Sequence, residues 1–136
     1  MSTTNDQSPA LERALRLLGP LEARIMRTVW TGGIDQPFVV REMLAHLPEL
    51  AYTTVMTTLN RLAEKGLLVA EAVPSQRAYS YRAASGPDAF LGAAGTRAAE
   101  ELVARYGEAA LAAFAAHLEA LSPEQRRRLE RLGREP

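Results

Sequence analysis

Cysteine is absent from the 136 residues. That removes disulfides, thiolate metal sites and cysteine nucleophiles together, and it leaves the chain compatible with a reducing compartment. Lysine is almost absent: Lys65 stands alone among arginines. Net charge is missing too, because 16 basic residues balance 16 acidic ones. Such a balance argues against a generally basic nucleic-acid coat and leaves room only for a local basic surface. No apolar run approaches the ~18 residues that span a bilayer. The opening MSTTNDQSPA has neither the basic nor the apolar region of a signal peptide. The expectation is a cytoplasmic protein without membrane insertion. No nucleophile–base pair, metal cluster or cofactor motif stands out, so no enzyme activity, no catalytic residue, no metal and no cofactor is expected. Gly32-Gly33 is no phosphate loop, since the Lys-Ser/Thr ending is missing.

What is present is apolar content, 47% of the chain, which is enough for one compact core with an appended helical arm. Residues 1–9 are small and polar and read as a disordered N-terminal tail. Leu11, Leu15 and Leu18 repeat at helical spacing, and Gly19-Pro20 breaks that helix or starts the next. Leu21, Ile25, Met26, Val29 and Trp30 then share one apolar face, closed by Gly32-Gly33. Pro37 holds residues 36–39 extended. Val40, Met43, Leu44 and Leu47 make a second, short helix before Pro48. A third helix, residues 52–65, turns Val55, Leu59 and Leu62 inward and stops at Lys65-Gly66. Residues 67–73 and 77–82 then read as strands around the turn Pro74-Ser75-Gln76, with Tyr79 and Tyr81 on one face. Three helices followed by a two-stranded hairpin is the winged form of the helix-turn-helix, expected over residues 10–84.

The third helix carries four threonines in AYTTVMTTLNRLAEKGLL, although β-branching makes threonine a poor helix former. With Val55, Leu59 and Leu62 inward, Thr53, Thr54, Thr57, Thr58 and Arg61 fall on the opposite side, and residues three and four apart become neighbours. A threonine hydroxyl can bond a phosphate or a base edge, its methyl can touch a thymine methyl, and arginine can grip a guanine edge or a phosphate with two parallel bonds. These residues, with Arg77 and Arg82 on the hairpin, are the expected contacts to double-stranded DNA. A plain solvated helix face is the competing reading, and surface solubility the competing reading for the two hairpin arginines. Over residues 51–82 four basic residues (Arg61, Lys65, Arg77, Arg82) meet two acidic ones (Glu64, Glu71). So small an excess implies that two copies are needed for firm binding.

Taken together, LGPLEARIMRTVW, AYTTVMTTLNRLAEKGLL and RAYSYRA resemble the penicillinase-repressor family of bacterial winged-helix regulators (the BlaI/MecI/CopY group), over about residues 18–132. The resemblance implies a homodimeric repressor on an inverted-repeat operator, with a winged helix that reads DNA and C-terminal helices that dimerise. On that pattern Thr53, Thr54, Thr57 and Arg61 match recognition-helix positions and Arg77 sits at the wing. It also implies β-lactam-responsive or related target genes. Relief of repression in the β-lactam type follows cleavage in the C-terminal helices, with a membrane sensor protease, or a protease downstream of it, as partner. The comparable stretch is residues 112–118, AAFAAHL, where the Asn-Phe pair associated with cleavage in some relatives is absent. The copper type, with its cysteine-rich tail, is out of reach for a chain without cysteine.

Residues 85–136 form the expected helical dimerisation region: alanine-rich from Phe90 to Leu121, broken near Tyr106-Gly107, and restarted at Ser122-Pro123 by a serine cap. Leu91, Leu102, Tyr106, Leu111, Phe114, Leu118 and Leu121 are too many large apolar groups for an isolated tail, and a symmetric helical dimer would bury them. Packing onto the winged-helix core is the alternative. Two further readings stay open: a winged-helix regulator released by a small ligand, and a winged-helix protein-interaction module without a DNA role. His46 and His117 lie far apart and suggest no metal site. Glu100-Glu101, Glu124 and Arg126-Arg127-Arg128 read as solvated helix faces with surface ion pairs.

Overall fold

Proline, serine and glycine mark most of the helix boundaries, and in the computed structural model, which describes residues 8–134, they act where the sequence puts them. Ser8 caps α1 (Pro9–Arg16) by accepting a hydrogen bond from Leu11 N at 3.0 Å, and Pro9 takes the first position, where its missing N–H costs nothing. Of the tail expected over residues 1–9, residues 1–7 lie outside the described residues; Ser8 and Pro9 belong to this cap. Pro20 opens α2 (Pro20–Trp30). Both α2 and the later helix over residues 52–64 end in the same way. A positive-φ glycine, Gly32 or Gly66, lets the N–H that follows it turn back onto a carbonyl of the last turn: Gly33 N to Thr28 O, and Leu67 N to Leu62 O, each 2.9 Å.

The order continues with α3 (Val40–Leu44), α4 (Tyr52–Glu64), β1 (Leu68–Ala72) and β2 (Tyr79–Ala83). β1 and β2 are antiparallel, in a register running from Leu68 opposite Ala83 to Ala72 opposite Tyr79. Phe38 adds a short third lane: its N–H donates to Tyr81 O at 2.9 Å and its carbonyl accepts from Tyr81 N at 2.7 Å. This is the expected winged helix, mostly α with a small hairpin. Its core gathers Leu11 and Leu15 from α1, Ile25, Met26 and Val29 from α2, Met43 from α3, and Val55, Leu59 and Leu62 from α4, closed by Phe38 and Tyr81 from the wing. Tyr81 is buried while Tyr79, two residues earlier on the same face, is exposed where the hairpin runs out past the core. The Phe38 and Tyr81 rings stack at 5.9 Å.

Three helices follow: α5 (Pro87–Tyr106), α6 (Glu108–Glu119) and α7 (Pro123–Arg134). The chain divides into two compact units inside α5, after Ala93. The first runs on past residue 85, where the sequence reading begins the helical region, because Phe90 packs on Trp30, ring centroids 5.9 Å apart, and Trp30 Nε1 donates to Ser85 O at 2.8 Å. Trp30 is thus a half-buried clasp at the edge of the core. In the second unit α5 breaks from α6 at Gly107, whose φ of 59° suits glycine. Ser122 and Gln125 cap α7 reciprocally, Gln125 N donating to Ser122 Oγ and Ser122 N to Gln125 Oε1.

Candidate nucleic-acid interface

α4 is held by an apolar stripe and turns a polar one outward. Val55, Leu59 and Leu62 are fully buried, while Thr53, Thr54, Thr57 and Arg61 are exposed. Thr54, Thr57 and Arg61, spaced by three and four, lie along one line of that face. Thr58 does not join them, contrary to the sequence expectation. It is 6% exposed, and its hydroxyl donates to Thr54 O at 2.9 Å. Thr58 sits one residue before the inward Leu59, on the shoulder of the buried stripe, and threonine tolerates that place by bonding the carbonyl one turn back. Four threonines thus divide into three outward and one inward.

The start of α4 is bare. Ala51 supplies no side-chain cap and the first turn holds no acid. By contrast Ser8 caps α1, Glu22 accepts from Gly19 N at the start of α2, and Glu42 accepts from Val39 N at the start of α3. At the other end Lys65 donates to Glu22 Oε2 at 2.8 Å. The ammonium of Lys65 holds the Glu22 carboxyl below the usual carboxylate range; burial opposes that shift, and the Gly19 N–H adds to it. Lys65 therefore ties α4 to α2.

On the wing, Arg77 is exposed in the turn and has no ion pair among the described residues. Arg82 is exposed as well, but its Nε donates to Glu71 Oε1 at 3.2 Å. Of the four basic side chains counted over residues 51–82, Lys65 and Arg82 form ion pairs within the fold, and among the described residues Arg61 and Arg77 do not.

A groove runs along each side of α4. One, toward α2, is open and lined by Gly19, Pro20, Glu22, Thr54, Arg61 and Lys65. The other, of about 320 Å³, lies between α3, α4 and the wing, and is lined among others by Arg41, Tyr52, Asn60, Gln76, Arg77 and Tyr79. At its edge Tyr81 Oη donates to Asn60 Oδ1 at 2.8 Å, joining wing to helix. Burial raises the Tyr81 phenol above its ordinary value, so it stays a donor at neutral pH. Sequence reasoning passed over Arg41, Tyr52, Asn60 and Gln76. They meet only through tertiary packing of three elements, so no periodicity announces them.

The second unit presents a different surface. Leu102, Tyr106, Leu111, Phe114 and Leu118 are all exposed in the single chain, and Leu121 is half-buried. Leu102, Tyr106 and Phe114 border an apolar groove of about 250 Å³ whose remaining lining is alanine. Leu91 is apart from this set: it is half-buried and lies in the first unit. Arg126 donates to Leu118 O at 3.4 Å, at the C-terminal end of α6, so one member of the arginine run serves a helix end. Among the described residues no group of three or more His, Asp or Glu side chains could hold a metal ion, and no helix is long and apolar enough to cross a membrane.

Comparison with known proteins follows the same lines. The sequence profile of the family described as penicillinase repressor matches residues 18–135. The transcriptional regulator BlaI of Mycobacterium tuberculosis, from strains CDC 1551 / Oshkosh and ATCC 25618 / H37Rv, is 39% identical over 80 residues, covering 57% of this chain and 55% of the relative. The match thus spans about half the length of the curated relatives.

Proposed function

The chain belongs to the penicillinase repressor family, and from that premise we propose that it is a transcriptional repressor that binds an inverted-repeat operator as a homodimer. The observation that carries this reading is the outer face of α4. Thr53, Thr54, Thr57 and Arg61 stand exposed on a helix fixed to the core by three fully buried side chains. Such a face can enter a major groove, where hydroxyls, methyls and a guanidinium meet base edges. The bare helix start favours a phosphate, since unpaired N–H groups and the helix dipole both point there.

The dimer follows from two independent supports. One winged helix offers only Arg61 and Arg77 as basic residues without an ion pair over residues 51–82, too few for firm binding alone. The exposed leucines and aromatics of α5 and α6 are the kind of surface that a second copy covers. Two recognition helices about 34–36 Å apart would then read successive turns of a palindrome. Cleavage at residues 112–118, inside α6, would separate Phe114 or Leu118 from the rest of that surface. On this reading such a cut would relieve repression by loss of the dimer.

Genome-wide mapping of bound DNA gives the operator, and a substitution then tests the reading. Thr57→Ala should weaken operator binding by about 1–2 kcal/mol while leaving non-specific binding nearly unchanged. Equal losses on operator and random duplex would remove the base-reading role.

A further inference from the structure

The two grooves beside α4 are chemically unlike. Toward α2, a carboxylate, Glu22, lies in the groove and takes up the charge of Lys65. Toward the wing, no carboxylate lines the groove among the described residues. Arg41 of α3 and Arg77 of the wing stand on its walls, both exposed and both without an ion pair among the described residues. Elsewhere in this unit Arg24, Arg27 and Arg82 are paired with Glu49, Glu12 and Glu71. Tyr52 and Tyr79 are 45% and 55% exposed, and Asn60 and Gln76 complete a polar lining.

We infer that this groove seats the sugar-phosphate backbone of one DNA strand, with Arg41 as a positioning residue that no sequence motif assigns. The inference rests on the DNA-binding reading above and goes beyond it, because it places the contact in α3 and not only in α4 and the wing. The chemistry suits a phosphodiester. Two guanidinium groups on facing walls suit phosphate oxygens, which accept paired N–H bonds. Phenol and amide groups are the other common donors to the backbone. A duplex with α4 in its major groove has one strand on each flank of the helix. The wing-side flank meets it with two guanidinium groups and no carboxylate, whereas on the other flank Arg61 shares its groove with Glu22. The hydrogen bond from Tyr81 to Asn60 ties the wing to α4, and the backbone bonds between Phe38 and Tyr81 tie the wing to the segment that leads into α3.

The test measures binding of the full chain to a fluorescent random-sequence duplex and to mapped operator across a salt series. The variants are Arg41→Gln, Arg77→Gln and, as an equal charge change at an exposed position of α1, Arg13→Gln. Thermal melting confirms that each variant is folded. The slope of log K against log salt should fall by about 2 for Arg41→Gln, since each protomer of a dimer then leaves one phosphate unneutralised. It should fall similarly for Arg77→Gln and stay within experimental scatter for Arg13→Gln. Operator and random duplex should weaken by the same factor. A steep wild-type slope that Arg41→Gln leaves unchanged, or that Arg13→Gln lowers equally, overturns the groove and leaves the repressor reading standing. Selective loss of operator discrimination in Arg41→Gln also overturns it. A wild-type chain that ignores every duplex overturns both.

Discussion

The two units of the chain treat their large apolar side chains in opposite ways. In the unit ending at Ala93, Ile25, Met26, Phe38, Met43, Leu59, Leu62 and Tyr81 are at most 1% exposed. In the unit beginning at Ala94, the one buried side chain among the described residues is Ala110, while Leu102, Tyr106, Leu111, Phe114 and Leu118 are between 39% and 55% exposed. The first has a core of its own. The second has helices but little that they enclose: alanine gives propensity without volume. Its stability must come from somewhere other than its own interior, since short helices draw most of theirs from packing. That contrast is the physical basis for reading the second unit as an interface.

The comparison breaks most visibly if paired substitutions fail to separate the units. Leu59→Ala removes a fully buried side chain from the first unit and should lower its stability by about 2–5 kcal/mol, read by thermal or denaturant unfolding. Phe114→Asp places a charge on the exposed apolar surface of the second. It should leave the first unit's unfolding unchanged but weaken self-association by about 2–4 kcal/mol, roughly 30- to 1000-fold, read by sedimentation. A Phe114→Asp chain that remains dimeric at low micromolar concentration would remove the interface from this surface.

A smaller effect sharpens the account of the first unit. Its lowered carboxyl groups are Glu12 beside Arg27, Glu22 beside Lys65 and Glu49 beside Arg24. A carboxyl depressed in the folded state adds stability above its unfolded pKa, about 4.3, and loses it as pH falls through the lower folded value. The first unit should therefore be most stable above about pH 4.5 and weaken below it. Glu22 is the buried member of the three. Glu22→Gln should cost about 1–2 kcal/mol near neutral pH, because it leaves Lys65 without its ion pair and weakens the bond from Gly19, and it should flatten the acid limb of the stability profile. An unchanged acid limb would mean that Glu12 and Glu49 account for it.

Most of the first unit's architecture could be read from spacing. Val55, Leu59 and Leu62 declare the inner face of α4, and Lys65-Gly66 its end, because helix period and glycine conformation are local properties. The serine cap of α7 was legible for the same reason. Four things were not. Phe38 pairing with Tyr81 depends on a partner far along the chain. The neutralisation of Lys65 by Glu22 and the gathering of Arg41, Tyr52 and Arg77 around one groove are equally non-local. Thr58 escaped as well, because a helical wheel assigns directions but not the depth to which the neighbouring elements cover its shoulder.

Thr58 supplies the finest test, since it separates the outer face of α4 from its inner one by a single residue. In Thr58→Val a methyl replaces the hydroxyl at nearly the same volume. The bond to Thr54 O disappears, a loss of about 0.5–1.5 kcal/mol for a net hydrogen bond. That carbonyl keeps its place in the helix, so no acceptor is stranded. The added methyl enters a buried site and gains about 0.8 kcal/mol, and the β-branched shape is unchanged. The terms oppose and nearly cancel, leaving the melting temperature close to that of the parent. Operator discrimination should be equally unmoved, because the hydroxyl of this 6% exposed residue is already committed to Thr54 O. Thr57→Val, the neighbouring residue and the same chemical change, should leave the melting temperature alone and lower discrimination. If Thr58→Val lost discrimination to the same degree, the shoulder of α4 would belong to the DNA-facing surface after all, and the division of the four threonines would be wrong.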